Sequence, residues 1–412
     1  MSTRNLLLAL FSSALFTLVS CAEDEDNSPS VNAPASYTFE RNGQSTVSFS
    51  GQTTRIKMAT ELVNALGNFD AATKSTLLEM YRNETPEGGD ANPYQEAALN
   101  DSDKSVRSKV AASRDLFFTN TTEGTDIKNQ FELWIESQVD EVFPNEEVLA
   151  KPGTAGQIAD GSSTRYVSAK GLEYNQLVNK GLIGALMTDQ MLNNYLSEAV
   201  LDENVNRELN ESASVEEGQN YTTMEHKWDE AYGYAYGTAA DPSNPNSTLS
   251  DNDIFLSKYI ARVESDADFT GIADEIYDAF KLGRAAIVEH NYELRDEQAN
   301  IIRKKVSEVI GIRAVYYLQQ AKLKLEQDTP DYGSIFHDLS EAYGFIYSLQ
   351  FTRQPNSNVP YHSGAEVNEF IEKLMNEGAN GLWNVSPQTL EELSEAIASP
   401  FEFTVAEAAS ND

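Results

Sequence analysis

From residue 56 onward, apolar side chains return at steps of three and four, the spacing that lines one face of an α-helix. The pattern predicts helices over Ile56–Phe69, Ser75–Arg82, Lys104–Phe118, Asn129–Val142, Gly171–Val200, Tyr221–Gly237, Asn252–Glu264, Phe269–Glu293, Gln298–Glu326, Tyr332–Phe351, Ala365–Asn376 and Pro387–Ala398. Two stretches, Leu182–Leu186 and Val309–Leu318, are apolar on nearly every side, which places them at the centre of a bundle. Gaps rich in Pro, Asn, Ser and Gly at Lys151–Ser163, Thr238–Ser250 and Gln354–Tyr361 read as loops. Only the start of the chain reads as strand: Tyr37–Arg41 and Ser45–Phe49 flank Asn42-Gly43, a pair suited to a two-residue hairpin turn. No alternation of strands and helices follows, so the predicted fold class is all-α with a short N-terminal β-hairpin.

The helical pattern contains a repeat. Residues 226–236, His-Lys-Trp-Asp-Glu-Ala-Tyr-Gly-Tyr-Ala-Tyr, recur at 337–347 as His-Asp-Leu-Ser-Glu-Ala-Tyr-Gly-Phe-Ile-Tyr, with six of eleven positions identical. Each copy follows one of the wholly apolar stretches, which carry Ile183-Gly184 and Ile310-Gly311. The extra length of the first copy falls in the polar stretch Asp202–Asn220, which reads as an insertion. The repeat predicts two helical bundles related by internal duplication, with the hairpin and first bundle in residues 37–251 and the second bundle in 252–412.

Composition narrows the partners. The 412 residues are 40% apolar and 23% charged, as in globular proteins, but 30 Lys and Arg face 65 Asp and Glu for a formal charge of −35. Such a surface repels phosphate backbones, so nucleic acid is excluded and cations or basic partners are expected. With one cysteine the chain forms no internal disulfide, zinc finger or iron–sulfur cluster. That cysteine closes Leu18-Val19-Ser20-Cys21, after Arg4 and the apolar run Leu6–Val19. The ending resembles a bacterial lipobox, which implies a signal peptide in residues 1–20, cleavage before Cys21, and lipid on Cys21 as the link to the membrane. Residues 21–36, in which Ala22-Glu23-Asp24-Glu25-Asp26 follow the cysteine, read as an acidic and polar tether. Surface lipoproteins of Bacteroidetes carry similar runs, so the expected place is the outer membrane, facing the outside.

The repeated box carries the candidate chemistry. His and Glu four residues apart stand one helical turn apart, about 6 Å along the axis. If the two stripes meet across a pseudo-twofold, His226, Glu230, His337 and Glu341 converge into two imidazoles and two carboxylates, a set suited to iron, zinc or manganese. A second reading uses no metal: each His bonds a Glu one turn away, and both serve only to satisfy and pack the helix. Gly233 and Gly344 within the boxes mark close approach of another backbone or a ligand. Glu173, Gln176, Asp189 and Gln190 lie on the helix of the first apolar centre and could complete a site. Tyr232 and Tyr343 stand at equivalent positions of the two boxes, either as core or as ligand contacts. Glu289–Glu293 offers another His-x-x-Glu pair, and Ser363–Glu366 reads as a capping box. Metalloprotease, phosphate-loop, dinucleotide and lipase motifs are missing, so no catalytic residue is expected.

Together the lipobox, the Tyr37–Arg41 and Ser45–Gln52 segments, Lys180-Gly181-Leu182-Ile183-Gly184-Ala185 and the two boxes resemble an uncharacterised family of Bacteroidetes lipoproteins that is similar to the imelysin-like proteins. The resemblance covers nearly the whole mature chain. It implies two helical bundles from a duplication, a site between them, and a role in iron uptake beside outer-membrane receptors. The imelysin signature is Gly-x-His-x-x-Glu; here Met224 stands at the glycine position, and Asp229 stands at the glutamate position with Glu230 next to it. The peptidase activity attached to imelysin would need a zinc pair and a neighbouring general base. The expectation is a cell-envelope lipoprotein that binds iron, another divalent metal or an iron-bearing ligand and assists uptake. A non-catalytic scaffold docking an outer-membrane receptor, and a metallopeptidase, are the alternatives.

Overall fold

The computed structural model describes residues 31–410, so the signal segment, Cys21 and the tether as far as residue 30 lie outside the described residues. The chain is all-α with a short N-terminal β-hairpin. Strands β1 (Glu40–Arg41) and β2 (Gln44–Ser45) pair antiparallel, Glu40 against Ser45 and Arg41 against Gln44. Asn42 and Gly43 turn between them at φ values of 55° and 76°, the left-handed conformations that this turn requires. The longer helices are α1 (Ser50–Ala65), α2 (Lys74–Arg82), α3 (Thr121–Ser137), α4 (Tyr174–Leu182), α5 (Thr223–Tyr236), α6 (Leu256–Glu264), α7 (Ile272–Val288), α8 (Tyr292–Leu325), α9 (Tyr332–Ser348), α10 (Gly364–Met375) and α11 (Pro387–Ala398). Local chemistry sets their starts. Thr222 with Glu225 and Ser363 with Glu366 form full capping boxes, and Ser386 caps α11 just ahead of Pro387.

Helix α8, 34 residues and about 51 Å long, is the axis of the molecule. Helices α6, α7, α9 and α11 pack along it. Its middle, from Val309 to Val315, is buried on every side, as is Leu182–Leu186. The two apolar centres therefore sit where the sequence pattern places them, within a single continuous hydrophobic core.

The pattern and the structure part in four places. Lys104–Phe118 is not one helix but a 3-10 turn, Arg107–Lys109, and a short helix, Arg114–Phe117. Tertiary partners take the backbone donors that a helix would use. Ala111 N–H bonds the carbonyl of Ala185 at 2.8 Å, and the Asp189 carboxylate accepts from Ala112 and Ser113 at 3.0 Å each. The stretch Lys151–Ser163, which reads as a loop, enters a second hairpin, β3 (Gly156–Asp160) with β4 (Ser163–Val167), turning at Gly161 with φ of 56°. Beyond Leu182 the chain continues as wider π-helical turns at Ile183–Thr188 and Met191–Tyr195. Last, α7 ends at Val288 and His290 adopts φ of 59°, so His290 and Glu293 share no helix face.

An isolated hairpin is marginal, and this one is held by charge. Arg284 of α7 is completely buried, with its guanidinium 3.1 Å from Asp229, 3.0 Å from Glu225 and 3.0 Å from the Thr46 hydroxyl. Glu225 and Asp229 are one turn apart on α5, and both reach back to the N-terminal segment. Arg41 clasps Glu225 with two 3.0 Å bonds. Asp229 accepts from Tyr37 Oη at 2.7 Å and from Ser48 N–H at 3.1 Å. The Tyr37 ring stacks on Tyr232 at 3.6 Å. Removing one member of a buried ion network leaves its partners charged and unpaired, at about 3–5 kcal/mol. Arg284→Met is therefore expected to lower the unfolding free energy by about that much. It should also open residues 37–49 to protease before global unfolding; denaturation curves beside timed proteolysis check both, and a variant as stable and resistant as the parent refutes the role.

Candidate functional site

On α5 the residues after the cap divide by helical angle. Glu225 and Asp229 turn to Arg284, while His226 and Glu230, about 100° further round, turn to the start of α1. His226 Nδ1 lies 3.1 Å from the Ser48 carbonyl, and its ring stacks on Tyr221 at 4.5 Å. Glu230 accepts from Gln52 Nε2 at 3.0 Å and Lys227 Nζ at 2.9 Å. Burial pushes the Glu230 carboxyl up, but the charges of Lys227 and His226 and these hydrogen bonds hold it below the ordinary carboxylate value. A Cβ on Gly233 would stand 2.5 Å from Phe49 Cβ, so the glycine is what lets α1 approach.

The second box packs in a comparable way against α4. His337 of α9 has Glu173 at 3.3 Å from Nδ1 and Glu341 at 3.7 Å from Nε2. The fully buried Lys180 of α4 places its ammonium 3.1 Å from Glu341. A Cβ on Gly344 would stand 2.4 Å from Lys180 Cβ, so again the glycine admits the neighbouring helix. Burial alone would raise Glu341, yet Lys180 and His337 pull it down to about 2. Burial also disfavours charge on His337, but the hydrogen bond and charge of Glu173, with the charge of Glu341, outweigh it and raise the imidazole above its ordinary value.

The four residues of the expected metal set thus fall into two separate arrangements. Glu173 and Glu341 sit on opposite edges of the His337 ring, where they cannot share one ion with it. Among the described residues no three His, Cys, Asp or Glu side chains stand together so as to hold a metal ion. The remaining candidates are dispersed. Glu173 joins His337, whereas Asp189 caps the 112–113 backbone, its carboxyl pushed up to about 7 by burial against those hydrogen bonds. Gln190 donates to the Lys109 carbonyl, Gln176 makes a backbone bond to Glu173, and Asp229 belongs to the Arg284 network. Tyr232 bonds the Pro242 carbonyl and Tyr343 lies edge-on to Trp134.

Two cavities flank the 45–50 segment. One, about 730 Å³, is walled mainly by Tyr37, Phe39, Val47, Phe49, Leu99 and Pro242. The other, about 600 Å³, is polar and contains His226, Lys227 and Glu230 together with the 104–114 region. Sequence reasoning missed this second cavity. Its signal was present, since residues 104–114 hold Lys104, Arg107, Lys109 and Arg114 and no acidic residue.

The protein family described as "Domain of unknown function (DUF4856)" matches residues 34–404, and the chain belongs to it. No curated protein matches the chain, and no solved structure does.

The Lys180–Glu341–His337 chain makes two measurable demands. Lys180→Met, which strands Glu341, is expected to cost about 3–5 kcal/mol, and Lys180→Met/Glu341→Met distinctly less; equal losses in denaturant titrations would show no coupling. Because the folded state raises the His337 value, its stabilisation is complete below the ordinary 6.5 and fades as pH climbs through the raised value. The gap in melting temperature between the parent and His337→Gln should accordingly be wider at about pH 5.5 than at about pH 9. A gap that is constant or grows with pH contradicts the assignment.

Proposed function

We propose that this family member is a lipid-anchored protein of the outer membrane, facing outward, that works by binding rather than by catalysis, with its repeated His–Glu pairs holding helices together. One observation carries the reading: both box glutamates already have a cation of their own chain, Lys227 for Glu230 and Lys180 for Glu341. A metal at either pair would have to displace a lysine, and at Lys180 it would leave a buried ammonium unpaired. The Leu-Val-Ser-Cys ending at Cys21 supports the anchor. The parallel use of Gly233 against α1 and Gly344 against α4 supports an origin of the boxes by duplication.

Titration of the mature protein with ferrous iron and with zinc separates this reading from the iron-site expectation. The parent and the His226→Ala/His337→Ala variant are expected to bind equally weakly, while the variant melts at a lower temperature. Tight binding by the parent that disappears in the variant would overturn the proposal and restore a metal site.

A further inference from the structure

A chain of formal charge −35 should repel anions from nearly every face, yet the polar cavity beside His226 inverts that balance. Five of the 30 Lys and Arg side chains line it, Arg55, Lys104, Lys109, Arg114 and Lys227, against two carboxylates, Glu203 and Glu230. Glu230 is taken up by Lys227 at 2.9 Å, and Lys104 has Asp103 at 2.6 Å. The other three cations have no such partner. Arg55, nearly buried, donates to the carbonyls of Ser105 at 3.2 Å and Gly51 at 3.4 Å. The Arg114 guanidinium lies 3.9 Å from the centre of the Phe118 ring, and the Lys109 ammonium 5.5 Å from that of Tyr195. Among the described residues none of the three has a carboxylate within salt-bridge distance. The cations also crowd one another: burial first, and then the charge of Arg55, depress the Lys109 ammonium below its ordinary value, the charge of Glu230 opposing the shift and those of Lys227 and Lys104 adding to it.

Unpaired positive charge in a partly desolvated recess is costly unless something neutralises it. The recess is also built from separate parts of the chain, namely α1, the 104–114 segment, the turn at Asn194–Tyr195 and α5. At about 600 Å³ it has the size of a small-molecule site, far larger than a single inorganic ion needs. Its lining also includes Tyr195, Tyr221, Ser48 and Ser50. We infer that this cavity binds a small organic anion carrying at least two negative charges on carboxylate or phosphate oxygens, its charges met by Arg55, Lys109 and Arg114. The inference rests on the reading of the protein as a binder and supplies its ligand class. The general negative field of the molecule makes it selective for position, because an oxyanion finds a compensating charge excess here.

Calorimetry on the mature protein tests this with citrate and glucose 6-phosphate as the carboxylate and phosphate probes and maltose as the neutral control. At least one anion is expected to bind saturably at low salt, about tenfold or more weaker at high salt, with maltose inert. Lys109→Gln/Arg114→Gln should lose that binding about tenfold or more without a lower melting temperature, because neither side chain has a carboxylate partner to lose. The charge-preserving Lys109→Arg/Arg114→Lys should keep most of it. The preferred anion tells carboxylate from phosphate recognition. No saturable binding of either anion, equal binding of maltose, or unchanged affinity in the glutamine variant would each overturn the site, leaving the metal titration to judge the His–Glu pairs. Chemical conversion of a bound anion, followed by NMR, would keep the site and overturn the non-catalytic reading.

Discussion

The fold depends first on one buried cation. Arg284, completely enclosed, faces two carboxylates that α5 presents one turn apart, and through them it ties together α5, α7 and the extended N-terminal segment. Among the described residues Asp229 has no other basic partner and Glu225 has only Arg41 besides, and the hairpin, with strands of two residues each, is too short to hold itself on the helices. The apolar seam then fits around this point, with the Trp228 indole donating to the Phe280 carbonyl at 3.0 Å and Tyr37 lying flat on Tyr232. Burial pushes the Asp229 carboxyl up even against Arg284, whereas at Glu225 the opposing charges of Arg284 and Arg41 outweigh burial and hold the carboxyl below its ordinary value.

The two boxes solve one packing problem twice. A glycine at the contact lets a neighbouring helix come closer than any side chain would permit, and a glutamate one turn earlier meets a polar side chain from that neighbour, Gln52 in one case and Lys180 in the other. Close approach removes water, and removal of water obliges each buried polar group to find a partner. Histidine completes the arrangement by bonding the Ser48 carbonyl in the first box and Glu173 in the second. The differences between the boxes follow their surroundings. The first opens on a cavity, whereas the second is enclosed by Glu173 and Lys180.

Charge is distributed against its average. The chain as a whole is acidic, yet basic side chains are buried at Arg284 and at Arg295 beside Asp202, and five of them line the cavity by His226. Net charge describes the far field that an approaching molecule meets; the local excess describes what it finds on arrival.

The sequence by itself determined the class of the fold, because periodicities of 3.6 and 2 are written residue by residue: the all-α body, the Asn42-Gly43 hairpin, the all-round apolar centres at Leu182–Leu186 and in α8, and the capping box at Ser363–Glu366 were all legible. Gly233 and Gly344 were readable as points of close approach, though not what approached them. The second hairpin was read as a loop although Gly161-Ser162 is a turn signal, and the acid-free run from Lys104 to Arg114 was read as helix rather than as a basic lining. Only the tertiary structure decided that the 104–118 region is not a continuous helix, since Asp189 and Ala185, distant in sequence, claim its backbone donors. It also decided that the two His–Glu pairs do not form one ligand set. Helical spacing fixes which side chains share a face; the partner of that face is chosen by the packing of helices far apart along the chain, and here those partners were Lys180 for Glu341 and Gln52 for Glu230.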